Sequence, residues 1–177
     1  LKVVANPSDD ASLLRIANIP ARGLSDVTME RILAASHERK SPVFTVMRHT
    51  DVQAQFPERT QHALRGFLAF IESARQRLEQ SALGQPLGAW ADGVLSEAGY
   101  WDHLRKSERN PEVADGRIRN LKEMIATLDG PGPNAGLPAL ERLTESLADL
   151  ALDTDREDDA DERPGDEVTL ITMHSCK

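Results

Sequence analysis

Between residues 58 and 83, apolar residues recur every three or four positions, as on the buried face of an amphipathic helix. They are Leu64, Phe67, Leu68, Ile71, Ala74 and Leu78. The chain is 40% apolar but only 4% aromatic, so its core is mainly aliphatic, which favours packed helices over a β-sandwich. The sequence therefore predicts an all-α, bundle-like subdomain built around one long helix, 58–83.

Capping residues and breaks divide the rest of the chain into shorter predicted helices. Ser8 or Asp9, Ser25, Ser41 and Asn110 can accept hydrogen bonds from free N–H groups at a helix start. Proline follows Ser41 and Asn110, at the expected first helical position. Residues 1–5 are too short for an element of their own and are expected to end a helix that begins earlier. The other predicted helices are one from 8 or 9, one from 25, one from 42, 87–98, 100–105, 110–128 and 137–152.

The net charge of −8 is concentrated in one segment. Residues 153–167 hold nine acidic and two basic residues, whereas the remaining chain has 20 acidic and 19 basic residues. Because this segment has almost no apolar residues, we expect a mobile acidic loop. The acidity therefore belongs to one segment and does not by itself exclude a nucleic-acid partner.

The segment after the acidic residues changes from helical to strand composition. Residues 168–172 are β-branched and apolar, as in a buried strand. A single strand cannot form a sheet, so we expect its partners in a larger protein of which this chain is a piece. Cys176 is the only cysteine, which excludes an intramolecular disulfide and suits a reducing cytoplasm.

The sequence lacks the usual signals of a self-sufficient enzyme. It has no glycine-rich phosphate loop, dinucleotide fingerprint or nucleophile elbow, so no catalytic residue is predicted. The five histidines and Cys176 have no ligand spacing, and no zinc site is expected. No apolar run approaches the ~18 residues of a membrane span, so no membrane association is expected.

Two motifs are informative. Residues 14–25 read as a helix, a tight Gly-containing turn and another helix, which resembles a helix-hairpin-helix. Such a turn presents backbone N–H groups and a helix start to a phosphate, with Arg22 as an added cation; a capped turn with an exposed arginine is the simpler alternative. Residues 168–177 read as a strand that delivers polar side chains to a sheet edge, or as a strand that merely enters a polar loop.

In this order, the two motifs resemble those of superfamily-one DNA helicases of the UvrD, Rep and PcrA type. Members carry a segment of the form L-R-I-x-N-x-P-x-R-G-I-G, then a helical region, then the helicase motif V. Two segments between the motifs, 100–105 and 117–123, also resemble family landmarks. The resemblance covers essentially the whole chain.

The resemblance implies that the chain is the 2B subdomain, a helical insertion in the second RecA-like motor domain. Residues 1–7 and 168–177 would then belong to the motor domain (2A), residues 8–152 to the 2B subdomain, and 153–167 to the acidic loop. Such helicases unwind duplex DNA with 3′-to-5′ polarity in replication or repair, using ATP and Mg²⁺ bound outside this segment. A cytoplasmic, nucleoid-associated bacterial protein is expected.

The resemblance also implies two groups of DNA-contacting residues. The duplex would meet the turn, and the single strand would meet motif V. The turn residues are Arg22, Gly23, Leu24, Ser25 and Thr28, and the motif V residues are Thr172, His174, Ser175 and Lys177.

Two residues depart from the family's pattern, and two functions other than a DNA-contacting subdomain are also open. Ser25 stands where the family usually has a second glycine, and Cys176 replaces a usual alanine. The first rival is a protein-docking or autoinhibitory module that binds a partner through the acidic loop. The second is part of a helicase–nuclease of the RecB or AddA type.

Overall fold

The computed structural model describes residues 1–130 and 136–160, and in these residues every regular element is a helix. The helices are α1 (Lys2–Ala5), α2 (Asp10–Ile16), α3 (Asp26–Arg39), α4 (Val43–Met47), α5 (Thr50–Gln53), α6 (Glu58–Glu79), α7 (Leu87–Glu97), α8 (Tyr100–Ser107), α9 (Pro111–Thr127) and α10 (Ala139–Ala160). The predicted all-α class is confirmed for this part of the chain. The predicted strand, 168–172, lies outside the described residues.

The chain divides into two compact units, Leu1–Ser146 and Leu147–Lys177. The boundary falls within α10, and what is described of the second unit is the later part of that helix. In the described residues, no helix is both long and apolar enough to cross a membrane.

Helix α6 supplies much of the core of the first unit. All six apolar positions predicted from its period are buried, and the first five, from Leu64 to Ala74, share a core cluster with residues of α1 to α5 and with Val94 of α7. The helix ends at Glu79 rather than at Leu83, and the Leu83 side chain is 72% exposed. The period therefore identified the buried face correctly but placed the helix end four residues too late.

Three helix starts use the local caps that the sequence predicts. The Asp9 carboxylate accepts from the Ser12 N–H (3.0 Å) at the start of α2. The Ser25 hydroxyl caps α3. The Asn110 side chain accepts from the Glu112 N–H (2.9 Å) at the start of α9.

The predicted Ser41 cap of α4 is wrong by one residue. Pro42 is the N-cap, and it offers no side-chain acceptor. Instead, the Val43 N–H donates to the Asp10 carboxylate of α2, over 2.9 Å. The helix start is thus capped by a residue 33 positions earlier, which no local pattern can reveal.

Helix α7 is also capped from a distance. The Asp129 carboxylate, just after α9, accepts from the Leu87 N–H (2.6 Å) and the Gly88 N–H (3.0 Å). Arg142 of α10 donates to the Gln85 carbonyl over 3.0 Å. These hydrogen bonds join the start of α7 to the end of α9 and to the first turn of α10.

The prediction of an acidic loop at 153–167 is wrong for its first part, which is helical. Helix α10 continues to Ala160, eight residues into the segment 153–167 that we expected to be a loop. No glycine or proline stands between Pro138 and Pro164, so nothing in the backbone stops a helix that has already formed. Residues 161–167 lie outside the described residues.

Candidate nucleic-acid interface

The predicted helix-hairpin-helix corresponds to α2, the connecting residues 17–25 and α3. The Ile19–Pro20 peptide bond within the connection is cis. Gly23 has a φ of +83° and is exposed, and a Cβ built on it would meet no atom within 4 Å. This backbone conformation favours glycine strongly, so its presence here is explained by the turn, and the surface above it is open.

Asn18 organises the backbone around this glycine. Its side-chain oxygen accepts from the Arg22 N–H (2.9 Å) and from the Leu24 N–H (3.3 Å). Within the described part of the chain, the Gly23 N–H makes no hydrogen bond. The asparagine was not predicted as a site residue, although an Asn four residues before a turn can bond its backbone.

Arg22 is directed inward, against the expectation of a cation free to meet a phosphate. Its Nη1 donates to the carbonyls of Ile16 (3.0 Å) and Pro20 (3.1 Å). The guanidinium also lies over the ring of the buried Phe67, 5.6 Å from the ring centroid. Burial lowers the pKa of Arg22, but an arginine remains charged at physiological pH.

Leu24 and Thr28 are buried, with 0% and 7% of their surfaces exposed. The Thr28 hydroxyl lies 3.0 Å from the Ser25 hydroxyl. Thr28 was expected to reach a phosphate with its side chain, but in this conformation it instead supports the start of α3. Leu24 anchors the turn in the core.

Ser25 is the N-cap of α3, and its hydroxyl accepts from the Thr28 N–H over 3.3 Å. Its φ of −69° is open to any residue, so serine in place of the family's usual second glycine causes no backbone strain. The exposed serine stands at the positive end of the 14-residue helix α3. The first N–H groups of a helix have no partner within that helix, which makes this end suited to an anion.

The surface beside the turn is mixed in character. The side chains of Ile19 and Val27 are 48% and 59% exposed, and Asp26 and Glu30 are exposed on α3. A cavity of about 240 Å³ lies between α2 and α3. Its lining residues are Leu14, Ala17, Asn18, Asp26, Met29, Glu30 and Leu33.

The two other landmark segments, 100–105 and 117–123, come together through the packing of α8 on α9. The Lys122 ammonium lies 5.4 Å from the centroid of the Trp101 ring. Tyr100 meets Trp101 edge to face, with centroids 6.3 Å apart. The predicted motif V residues, Thr172, His174, Ser175 and Lys177, lie outside the described residues.

The whole chain is similar in sequence to known helicases. A family model described as the UvrD-like helicase C-terminal domain matches residues 1–177. The ATP-dependent DNA helicase PcrA of Staphylococcus epidermidis is 31% identical over all of this chain and 23% of its own length. The corresponding values are 30% and 23% for PcrA of Staphylococcus aureus, and 29% and 24% for DNA helicase II of Salmonella typhimurium. The chain thus spans about a quarter of the length of these relatives.

Proposed function

The chain belongs to the family of UvrD-like helicase C-terminal domains, and on that premise we propose that it is the 2B accessory subdomain of an ATP-dependent 3′-to-5′ DNA helicase. The name of the PcrA relatives, ATP-dependent DNA helicase, supports the use of ATP by the whole protein, and we propose Mg²⁺ as the ion that accompanies it. Both would bind outside this chain. The subdomain contributes a sequence-independent contact to duplex DNA and a regulatory element to the motor.

The observation that carries the duplex contact is the exposed Gly23 turn directly before the capped start of α3. The Gly23 N–H and the first N–H groups of α3 are donors at the positive end of a helix dipole. Such donors bind phosphate without reading bases. Because they are backbone groups, the contact does not require a basic surface, which reconciles it with the net charge of −8.

Motif V supplies the second proposed contact. Thr172, His174, Ser175 and Lys177 would bind the single strand and link it to the nucleotide site of the motor. This role rests on the family's sequence pattern. A cytoplasmic, nucleoid-associated location follows from the same proposal.

The surface around the turn favours a second function, docking of a protein partner. Ile19 and Val27 present apolar surface beside two acidic side chains, Asp26 and Glu30. The acidic segment 153–167 could serve the same partner. Deletion of residues 153–167 separates the two functions, because lost partner binding with intact DNA binding favours docking.

The sharpest test of the duplex contact is Ser25→Asp, with Ser25→Asn as its matched control. Both replacements retain an effective N-cap, but only the aspartate places a negative charge where the phosphate would lie. At about 5 Å and an effective dielectric constant of 20–80, the repulsion is about 1–3 kcal/mol, which corresponds to a loss of roughly 5- to 150-fold in affinity.

The assay is binding of the 177-residue chain to a fluorescent fork of duplex and single strand across a salt series. We expect Ser25→Asn to bind like the wild type, with affinity falling as salt rises, and Ser25→Asp to bind more weakly. Equal affinity of the two variants, at equal thermal stability, would refute a phosphate contact at this helix start.

A further inference from the structure

We propose that Asn18 and Arg22 are positioning residues that hold the Gly23 turn in its donor conformation, and that Arg22 does not itself bind phosphate. This inference rests on the proposed duplex contact and deepens it. It reverses the role that the sequence pattern gives to Arg22.

The first step concerns the backbone donors of the turn. Asn18 accepts from the N–H groups on both sides of Gly23, at 2.9 Å from Arg22 and 3.3 Å from Leu24. Those two donors are therefore already satisfied inside the protein. The Gly23 N–H lies between them in an exposed residue and makes no hydrogen bond within the described residues, so it is the donor that remains for a ligand.

The second step concerns the guanidinium. The carbonyls that accept from it belong to Ile16, at the end of α2, and to Pro20, in the connection. The ring beneath it belongs to Phe67 of α6. One side chain thus joins three separate parts of the chain, and the turn is attached to the core through it.

The third step compares this role with phosphate binding. To bind a phosphate through Nη1, the guanidinium would have to exchange two carbonyl acceptors for it, and moving toward the phosphate would also cost its place over the face of a buried aromatic ring. A hydrogen bond from a charged group is worth more than one between neutral groups, so this exchange offsets most of the gain from a new phosphate contact. A lysine could carry the charge, but its ammonium lacks the planar shape that stacks on a ring while donating to two acceptors.

The two roles predict different results for Arg22→Lys and Arg22→Met. If Arg22 positions the turn, both variants lose about tenfold in fork affinity while the dependence of log affinity on log salt keeps its wild-type slope. If Arg22 binds phosphate, Arg22→Lys keeps most of the affinity and Arg22→Met lowers the slope by about 0.9. The second pattern would overturn the inference.

A DNA-free measurement separates this inference from the proposed function. We expect the ¹⁵N–¹H amide signal of Gly23 to shift in Arg22→Lys, in Arg22→Met and in Asn18→Leu. The control is Arg109→Met, which removes an exposed cation between α8 and α9 and should change neither the Gly23 signal nor the affinity by more than about twofold. An unchanged Gly23 signal in the Arg22 variants contradicts the positioning role even if no fork binding is detected.

Combining Asn18→Leu with Arg22→Met adds a second criterion. Two residues that act through one turn should have non-additive effects on affinity, whereas independent effects would add. All variants are compared at a temperature where circular dichroism shows them folded, and Arg22→Lys, the milder change, serves if Arg22→Met unfolds. Additive losses with a reduced salt slope would assign the phosphate to Arg22 after all.

Discussion

Two alanine substitutions in α7 are expected to change stability in opposite directions. Gly88 and Gly93 lie in the same helix, where alanine ordinarily stabilises by about 0.5–1 kcal/mol relative to glycine. At Gly93 an added Cβ meets no atom within 4 Å. At Gly88 it would lie 2.6 Å from Oδ2 of Asp129 and 3.3 Å from the Ile125 carbonyl oxygen.

The magnitude at Gly88 follows from what the carboxylate does there. Asp129 accepts from the Leu87 and Gly88 N–H groups, and the new methyl group forces it away from one or both. Losing hydrogen bonds to a charged cap costs about 2–3 kcal/mol, against which the alanine gains at most about 1 kcal/mol. Gly88→Ala should therefore destabilise by about 1–2 kcal/mol, while Gly93→Ala stabilises by about 0.5–1 kcal/mol.

The assay is urea and thermal unfolding followed by circular dichroism at the helix band. At about 2–4 °C per kcal/mol for a chain of this size, Gly88→Ala should lower Tm and Gly93→Ala should raise it. In an Asp129→Ala background the penalty of Gly88→Ala should disappear, because the carboxylate that the methyl group displaces is gone. If Gly88→Ala stabilises the wild-type chain as much as Gly93→Ala does, the reasoning about this cap is wrong.

Asp10→Ala removes the acceptor of the Val43 N–H and should lower the free energy of unfolding in urea by about 1–2 kcal/mol. The control is Asp115→Ala, on the exposed face of α9. A loss for Asp10→Ala no greater than that of the control would contradict the long-range cap. Hydrogen bonds from Ser12 lower the pKa of Asp9 from its ordinary value of 3.8, so the stability that its ionised form contributes is present above pH 3.8 and is lost as the pH falls through the lower, folded-state pKa. Asp9→Asn keeps a cap that does not titrate, and the stability difference between wild type and variant should therefore change below pH 3.8; a difference that stays constant from pH 5 to pH 2 would argue against this coupling.

The proposed duplex contact at Gly23 does not depend on a basic surface. Backbone N–H groups and a helix dipole attract phosphate locally, whereas long-range attraction depends on the distribution of charged side chains. With Asp26 and Glu30 exposed nearby, such a contact would be weak and sensitive to salt. A weak contact fits the accessory role proposed for this chain.

The features that the sequence determined are those set within about one helical turn. The buried face of α6 follows from the spacing of six apolar residues, because a helix repeats every 3.6 residues wherever it packs. The caps at Ser25 and Asn110 follow from short side chains that reach the next N–H groups. Gly23 is needed for a backbone conformation that other residues avoid.

The features that only the tertiary structure decided depend on residues distant in sequence. Val43 is capped by Asp10 and α7 by Asp129, since a free N–H can donate to any suitably placed acceptor and the sequence does not say which acceptor will be near. Arg22 is drawn inward because packing places Phe67 beneath it. The direction of a charged side chain depends on where the folded chain brings its hydrogen-bond and ring partners together. Packing decides this, and the local sequence pattern does not.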